Sequence, residues 1–187
     1  KRLAISGFSK SLTLSGDCDG LLSYSWTPLK ADTLASDPLA VFSSTETVVA
    51  TSANCPDWNG TETNTAYLNA SYQQVATVRQ NSIEKHVAAK PYPTSVKVGD
   101  SGPWSAWVEK STDLTTVFSN GVQTYSVEAD GASTTSVILV ITVKELKPDN
   151  TLDKTRQMRY RIKPSTAAEL VSIEQVDASS GKKIMLK

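Results

Sequence analysis

The stretch Thr134-Thr135-Ser136-Val137-Ile138-Leu139-Val140-Ile141-Thr142-Val143-Lys144-Glu145-Leu146 decides the fold. Successive side chains of a strand point to opposite faces. Val137, Leu139, Ile141 and Val143 therefore share one face, while Ile138 and Val140 make the middle of the other face apolar. A strand apolar on both faces needs cover on both, as in the centre of a sheet or in a barrel. Pro148-Asp149-Asn150-Thr151 is a turn cluster. Thr155–Ile162 returns from it, with Met158, Tyr160 and Ile162 alternating with Gln157, Arg159 and Arg161. The two segments predict a central antiparallel hairpin whose register the turn sets, because a one-residue slip would swap every face. Val137, Leu139, Ile141 and Val143 are expected to be nearly fully buried.

Working outward, Leu170–Val176 and Lys183–Leu186 add two strands. On the N-terminal side, Ser95–Val98 reads as a short strand ending in the turn residues Gly99-Asp100-Ser101-Gly102-Pro103. Trp104–Lys110 follows, with Trp104, Ala106 and Val108 on one face and Ser105, Trp107 and Glu109 on the other. Those two tryptophans point to opposite faces, which assigns at least one to the core. Thr115–Phe118 and Val122–Glu128 flank Asn120-Gly121, a pair that tolerates positive φ and signals a hairpin.

The first half is less regular. Leu12–Leu14, Leu21–Trp26, Val41–Phe42 and Thr47–Thr51 read as strands. Asp32–Leu39 reads as a loop or one helical turn, and Cys55–Thr65 as a long polar connection. Ala66–Gln80 fits either period, and its Thr, Val and Tyr content favours strand. Ala88–Pro93 is the best candidate joint between residues 1–90 and 94–187. Neither half has enough apolar strands to stand alone, so residues 1–187 are expected to form one domain. The expected fold is mainly β: roughly ten antiparallel strands in a curved sheet, sandwich or half-barrel, with at most one short helix.

Composition bounds the function. The chain has 187 residues, 19 Lys+Arg against 19 Asp+Glu, and a formal net charge of +0, which argues against general nucleic-acid binding. No apolar run is long enough for a membrane-spanning helix. The 24 serines and 21 threonines give a composition typical of exported bacterial β proteins. The chain opens at Lys1 without an apolar signal core, so any leader would lie upstream. Cys18 and Cys55 lie far apart for a CxxC site; a structural disulfide and two free thiols are both open, and the exported composition favours the disulfide.

The single histidine, His86, excludes sites that need two imidazoles, and no Gly-x-Ser-x-Gly elbow nominates a serine partner for it. It reads as an exposed residue beside Glu84 and Lys85, and no catalytic residue is assigned. One histidine cannot build a zinc site, and Asp17/Asp19 and Asp57/Asn59/Glu62 do not match the calcium-loop spacing. No metal or cofactor is expected. Glu109, Glu128, Glu145 and Glu174 are expected to pair with Lys or Arg across the sheet. Asn59-Gly60-Thr61 and Asn69-Ala70-Ser71 match the glycosylation triplet, which a Ser/Thr-rich chain produces by chance.

Gly16-Asp17-Cys18-Asp19-Gly20, Asn54-Cys55-Pro56, Val96-Lys97-Val98-Gly99-Asp100-Ser101-Gly102, Tyr125-Ser126-Val127-Glu128-Ala129-Asp130 and Arg159-Tyr160-Arg161-Ile162 occur in that order along nearly the whole chain. In this order they resemble a group of uncharacterised bacterial exported proteins, often lipoproteins. The resemblance implies an extracytoplasmic location and a Cys18–Cys55 disulfide, and it transfers no activity.

Two function classes follow. The first is a non-enzymatic envelope or surface protein that binds or scaffolds, with envelope lipid or another envelope protein as partner. Its basic stripe of Arg159, Arg161 and Lys163 would meet an anionic surface; the alternative is a solvated face balanced by carboxylates on neighbouring strands. The second is an apolar-ligand carrier lined by Ile138, Val140, Met158, Tyr160 and Ile162. A hydrolase is a distant third.

Overall fold

A computed structural model of the chain describes residues 7–56, 59–87, 95–164, 166 and 168–187. The expected joint at Ala88–Pro93 lies outside them, as do Asp57 and Trp58. The strands are β1 (Phe8–Gly16), β2 (Gly20–Trp26), β3 (Lys30–Ala31), β4 (Phe42–Ser52), β5 (Gly60–Leu68), β6 (Gln74–Val78) and β7 (Ser82–Val87). The second half supplies β8 (Ser101–Ser111), β9 (Val117–Ala129), β10 (Val137–Leu146), β11 (Leu152–Ile162), β12 (Glu169–Asp177) and β13 (Lys183–Leu186). Every pairing is antiparallel.

The sheet closes on itself. β1 pairs with β13, with Leu14 opposite Leu186, and β2 pairs with β4, with Leu22 opposite Ala50. The two-residue β3 sits against the start of β4, outside the ring. The remaining twelve strands form an up-and-down barrel rather than the expected open sheet, sandwich or half-barrel of about ten strands. Closure removes the free edges that an open sheet of this length would have to protect.

The central hairpin forms: β10 pairs with β11 from Val137 opposite Ile162 through Val143 opposite Arg156, and the turn closes between Lys147 and Thr151. Several boundaries differ from expectation. Ser95–Val98 is not a strand; it leads into a turn in which the Gly99 amide donates to the Val127 carbonyl. β9 runs unbroken through Asn120-Gly121, and the hairpin with β8 turns earlier, where Leu114 takes a φ of 64°. Gly121 has another cause: a Cβ there would sit 1.9 Å from Trp107 Cζ2. The indole of the neighbouring strand lies on the bare glycine, the close approach that a glycine inside a strand permits.

Cys55–Thr65 is a connection only as far as Asn59, because β5 starts at Gly60. Ala66–Gln80 divides into the end of β5 and β6, around a turn where Tyr72 has a φ of 62°. Residues 32–39 form a loop held on the outer wall: Ser43 Oγ donates to Asp32 Oδ2, and the Lys85 ammonium donates to the Ser36 carbonyl.

The inward face follows from burial along the registers. Leu12, Leu14, Leu22, Ala50, Leu170, Ile184 and Leu186 are buried in one cluster with Cys18 and Cys55, whereas Ser11, Thr13, Ser15 and Ser23 on the same strands are exposed. Tyr24, Val48, Tyr160 and Ile173 pack against that cluster. Cys18 and Cys55 are disulfide-bonded, with Cα atoms 5.6 Å apart. The bond ties the β1–β2 turn to the β4–β5 connection. The same corner is stitched by Asn54 Nδ2 to the Asp17 carbonyl and by the Lys183 amide to Asp17 Oδ2.

Candidate binding site: the barrel lumen

Two chemically different walls face the lumen. The apolar wall comes from β10 to β12 and continues onto β13, β1, β2 and β4. Here Leu139 stands opposite Tyr160, Ile141 opposite Met158, and Met158 opposite Ile173. Val137, Leu139, Ile141, Val143, Met158, Tyr160, Ile162 and Ile173 are all only half-buried, although the barrel surrounds them. The expectation of near-complete burial for the β10 set is thereby corrected. Protein interiors are normally filled to crystal-like density, whereas these inward side chains keep part of their apolar surface accessible.

Burial on β10 is inverted. Ile138 and Val140 point outward, in register with Arg161 and Arg159, yet are only 6% and 2% exposed. Ion pairs across the strand cover them. Arg159 on β11 pairs with Glu128 on β9, and Arg161 Nε lies 2.7 Å from Asp130 Oδ2. Arginine stems can cover apolar surface while their heads stay wet. The five expected liners therefore do not share a face: Met158, Tyr160 and Ile162 line the lumen, and Ile138 and Val140 do not.

Arg159 and Arg161 of the basic stripe are thus engaged by carboxylates of neighbouring strands, Arg161 also by Glu169 at 3.2 Å, while Lys163 is exposed. Hydrogen bonds from Arg161 and then Ser136 hold the Asp130 carboxyl down at about 2. The four glutamates expected to pair across the sheet do so: Glu109 with Arg79, Glu128 with Arg159, Glu145 with Lys154 and Glu174 with Lys183.

The polar wall comes from β4 to β9. Arg79, just past β6, has Nη1 3.0 Å from Glu62, Nη2 2.9 Å from Glu84 and Nε 3.5 Å from Glu109. His86 Nε2 is 2.8 Å from Glu84 Oε1. Ser82 and Ser119 donate to the two oxygens of Glu109. Asn64 Nδ2 joins Glu62 at 3.0 Å to Glu46 at 3.4 Å.

His86 is therefore not the exposed residue expected from its neighbours. Its side chain is 4% exposed and stands in register with Trp107. Burial pushes the Glu84 carboxyl up, but His86 and Arg79 together outweigh it and leave the group below its ordinary value. Burial, then the Glu46 carboxylate hydrogen-bonded to it, pushes the Tyr24 hydroxyl well up. Tyr24 touches the apolar cluster and Glu46 at once, so it joins the two walls.

Period two held the signal for this wall: Ser82, Glu84 and His86 share one face of β7, and Ser105, Trp107 and Glu109 share one face of β8. Of the residues weighed as calcium ligands, Asp57 lies outside the described residues, and Asp17, Asn59 and Glu62 hold the local structure. Asp17 accepts from the Lys183 amide, Asn59 from the Ser52 amide, and Glu62 pairs with Arg79. Among the described residues, no group of three or more His, Cys, Asp or Glu is placed to hold a metal ion.

The outward face is mixed: it exposes Leu21, Val49, Val87, Phe118 and Val122 beside rows of polar residues. Here Ser9, Ser11, Thr13 and Ser15 of β1 and Thr61, Thr63 and Thr65 of β5 point outward. No helix among the described residues is long and apolar enough to cross a membrane. Comparison with family models, curated proteins and solved structures finds no match.

Proposed function

We propose that the chain is a non-enzymatic, extracytoplasmic binding protein that carries a small apolar molecule in the barrel lumen. One observation carries this reading: inward Leu139, Ile141, Met158 and Ile173 keep accessible surface, while outward Ile138 and Val140 on the same hairpin are almost fully covered. An apolar surface left wet inside a rigid closed wall is stabilised by an apolar guest at roughly 25 cal/mol per Å² covered. Small-molecule sites have this composition, a mainly apolar lining with a few placed polar groups, and barrel mouths are a common place for them. The disulfide fits an oxidising compartment.

The carrier reading is favoured over an anion-binding scaffold because Arg159 and Arg161 are already engaged by carboxylates, for which an anionic surface would have to compete. Calorimetric titration with decanol tests the proposal. Saturable one-to-one binding is expected in the wild type, weakened at least tenfold when Ile141→Trp fills the lumen. No binding in the wild type, or binding indifferent to the filled lumen, contradicts it.

A further inference from the structure

We infer that the lumen recognises a guest with a cationic head: an organic ammonium whose charge sits at Glu46, Asn64 and Glu62 and whose apolar tail lies along β10 to β12. This rests on the lumen-carrier reading and specifies its ligand. The polar wall is unbalanced. Glu46, Glu62, Glu84 and Glu109 face one guanidinium, Arg79, and one imidazole, His86. Among the described residues, the other cation of this part of the lumen is Lys10, opposite Tyr24, and its ammonium is drawn away to the Leu170 carbonyl. Arg79 already contacts three of the four carboxylates, and Glu46 is not among them. Partly buried carboxylates without a matching cation are costly, and a bound cation relieves that cost.

A second, independent observation points to a donor-bearing guest. Asn64 is 3% exposed. Its amide nitrogen is used by Glu46 and Glu62, and its side-chain carbonyl oxygen is buried with no hydrogen-bond partner. Buried carbonyls in native proteins are almost always paired. An acceptor beside two carboxylates matches an ammonium, which carries three donors and no acceptor.

Access and orientation follow from the strands. The β5–β6 ladder stops at Thr65, so Gly60–Asn64 extends past it, and the Glu62 side chain is 61% exposed at this rim. From there Glu46 leads through Tyr24 to Tyr160 and the apolar wall. A head held at Glu46 and Asn64 would place its alkyl tail against Tyr160, Met158 and Leu139.

The test compares decylammonium, decanol and decanoate by calorimetry at low salt, on the wild type, Glu46→Gln and Glu62→Gln. Glu62 is exposed, so its substitution should leave the fold intact and keeps the test valid if Glu46→Gln is unstable. The wild type is expected to bind decylammonium at least tenfold tighter than decanol, and decanoate most weakly. Each substitution should remove most of the preference for decylammonium over decanol. Equal binding of the three probes, or a preference that survives both substitutions, overturns the cationic-head inference and leaves the lumen reading standing. Failure of all three probes to bind the wild type overturns both.

Discussion

Gly121 shows how one residue sets a local arrangement in this barrel. It lies in mid-strand because the Trp107 ring occupies the place of a side chain, 1.9 Å from where a Cβ would stand. Gly121→Ala is expected to displace the indole and to cost about 1–3 kcal/mol, the usual range for overpacking. Urea unfolding followed by tryptophan fluorescence checks this; an unchanged midpoint would mean the ring is not seated there. Asp130 supplies a second test. Its folded value of about 2 lies below the ordinary aspartate value of about 3.9. A depressed carboxyl stabilises the fold fully above its unfolded value, and the contribution is lost as pH falls from about 4 to about 2. Arg161→Ala should raise the Asp130 titration midpoint seen by NMR. The stability gap between variant and wild type should be largest near neutral pH and narrow across that acid window.

At the level of elements, the β10–β11 hairpin was legible because Val137–Val143 is apolar on both faces and Pro148–Thr151 carries turn residues. The alternation also placed Trp107 with Ser105 and Glu109 correctly. Period two cannot say which apolar face is the better covered, and that depended on Glu128 and Asp130 reaching over β10 to Arg159 and Arg161. The first part of β5, Gly60–Thr65, escaped notice for a related reason. Its inward Glu62 and Asn64 belong to the polar wall and its outward Thr61, Thr63 and Thr65 face water, so no apolar alternation marks it. Asn120-Gly121 misled because a turn motif and a glycine flattened under an indole look alike in one dimension. The inverted burial has a measurable consequence. Leu139→Ala removes more atoms than Val140→Ala, and in a filled core would cost about 2–5 kcal/mol. Facing open space, it should cost about 1–2 kcal/mol, no more than Val140→Ala, by roughly 0.8 kcal/mol per methylene plus any cavity left. Denaturant unfolding of the two variants decides this, and a Leu139→Ala cost well above that of Val140→Ala would mean the lumen is filled.

For the whole molecule, closure is the feature no local pattern could reveal. It rests on pairing Leu14 with Leu186 and Leu22 with Ala50, contacts between segments that each read as ordinary short strands. Length and alternation implied a large antiparallel sheet, but whether it stays open depends on strand number and stagger. The cysteines carried a legible part of the answer, since their bond anchors the corner beside the β1–β13 closure. The Cys18→Ser/Cys55→Ser double variant should lose about 3–4 kcal/mol on the loop-entropy account. A much smaller loss would show that strand pairing alone holds that corner. The polar wall was visible only in fragments, because Glu46, Glu62, Arg79, Glu84 and Glu109 come from strands whose neighbourhood exists only in the closed ring.

An accessible apolar lumen would admit decanol, and methyl-resolved NMR reads where the guest sits. Intermolecular contacts are predicted from decanol to the methyl groups of Leu139, Ile141, Met158 and Ile173, with none to Ile138 and Val140. Contacts confined to outward residues such as Leu21 and Val49, or no contacts at saturating decanol, would contradict it.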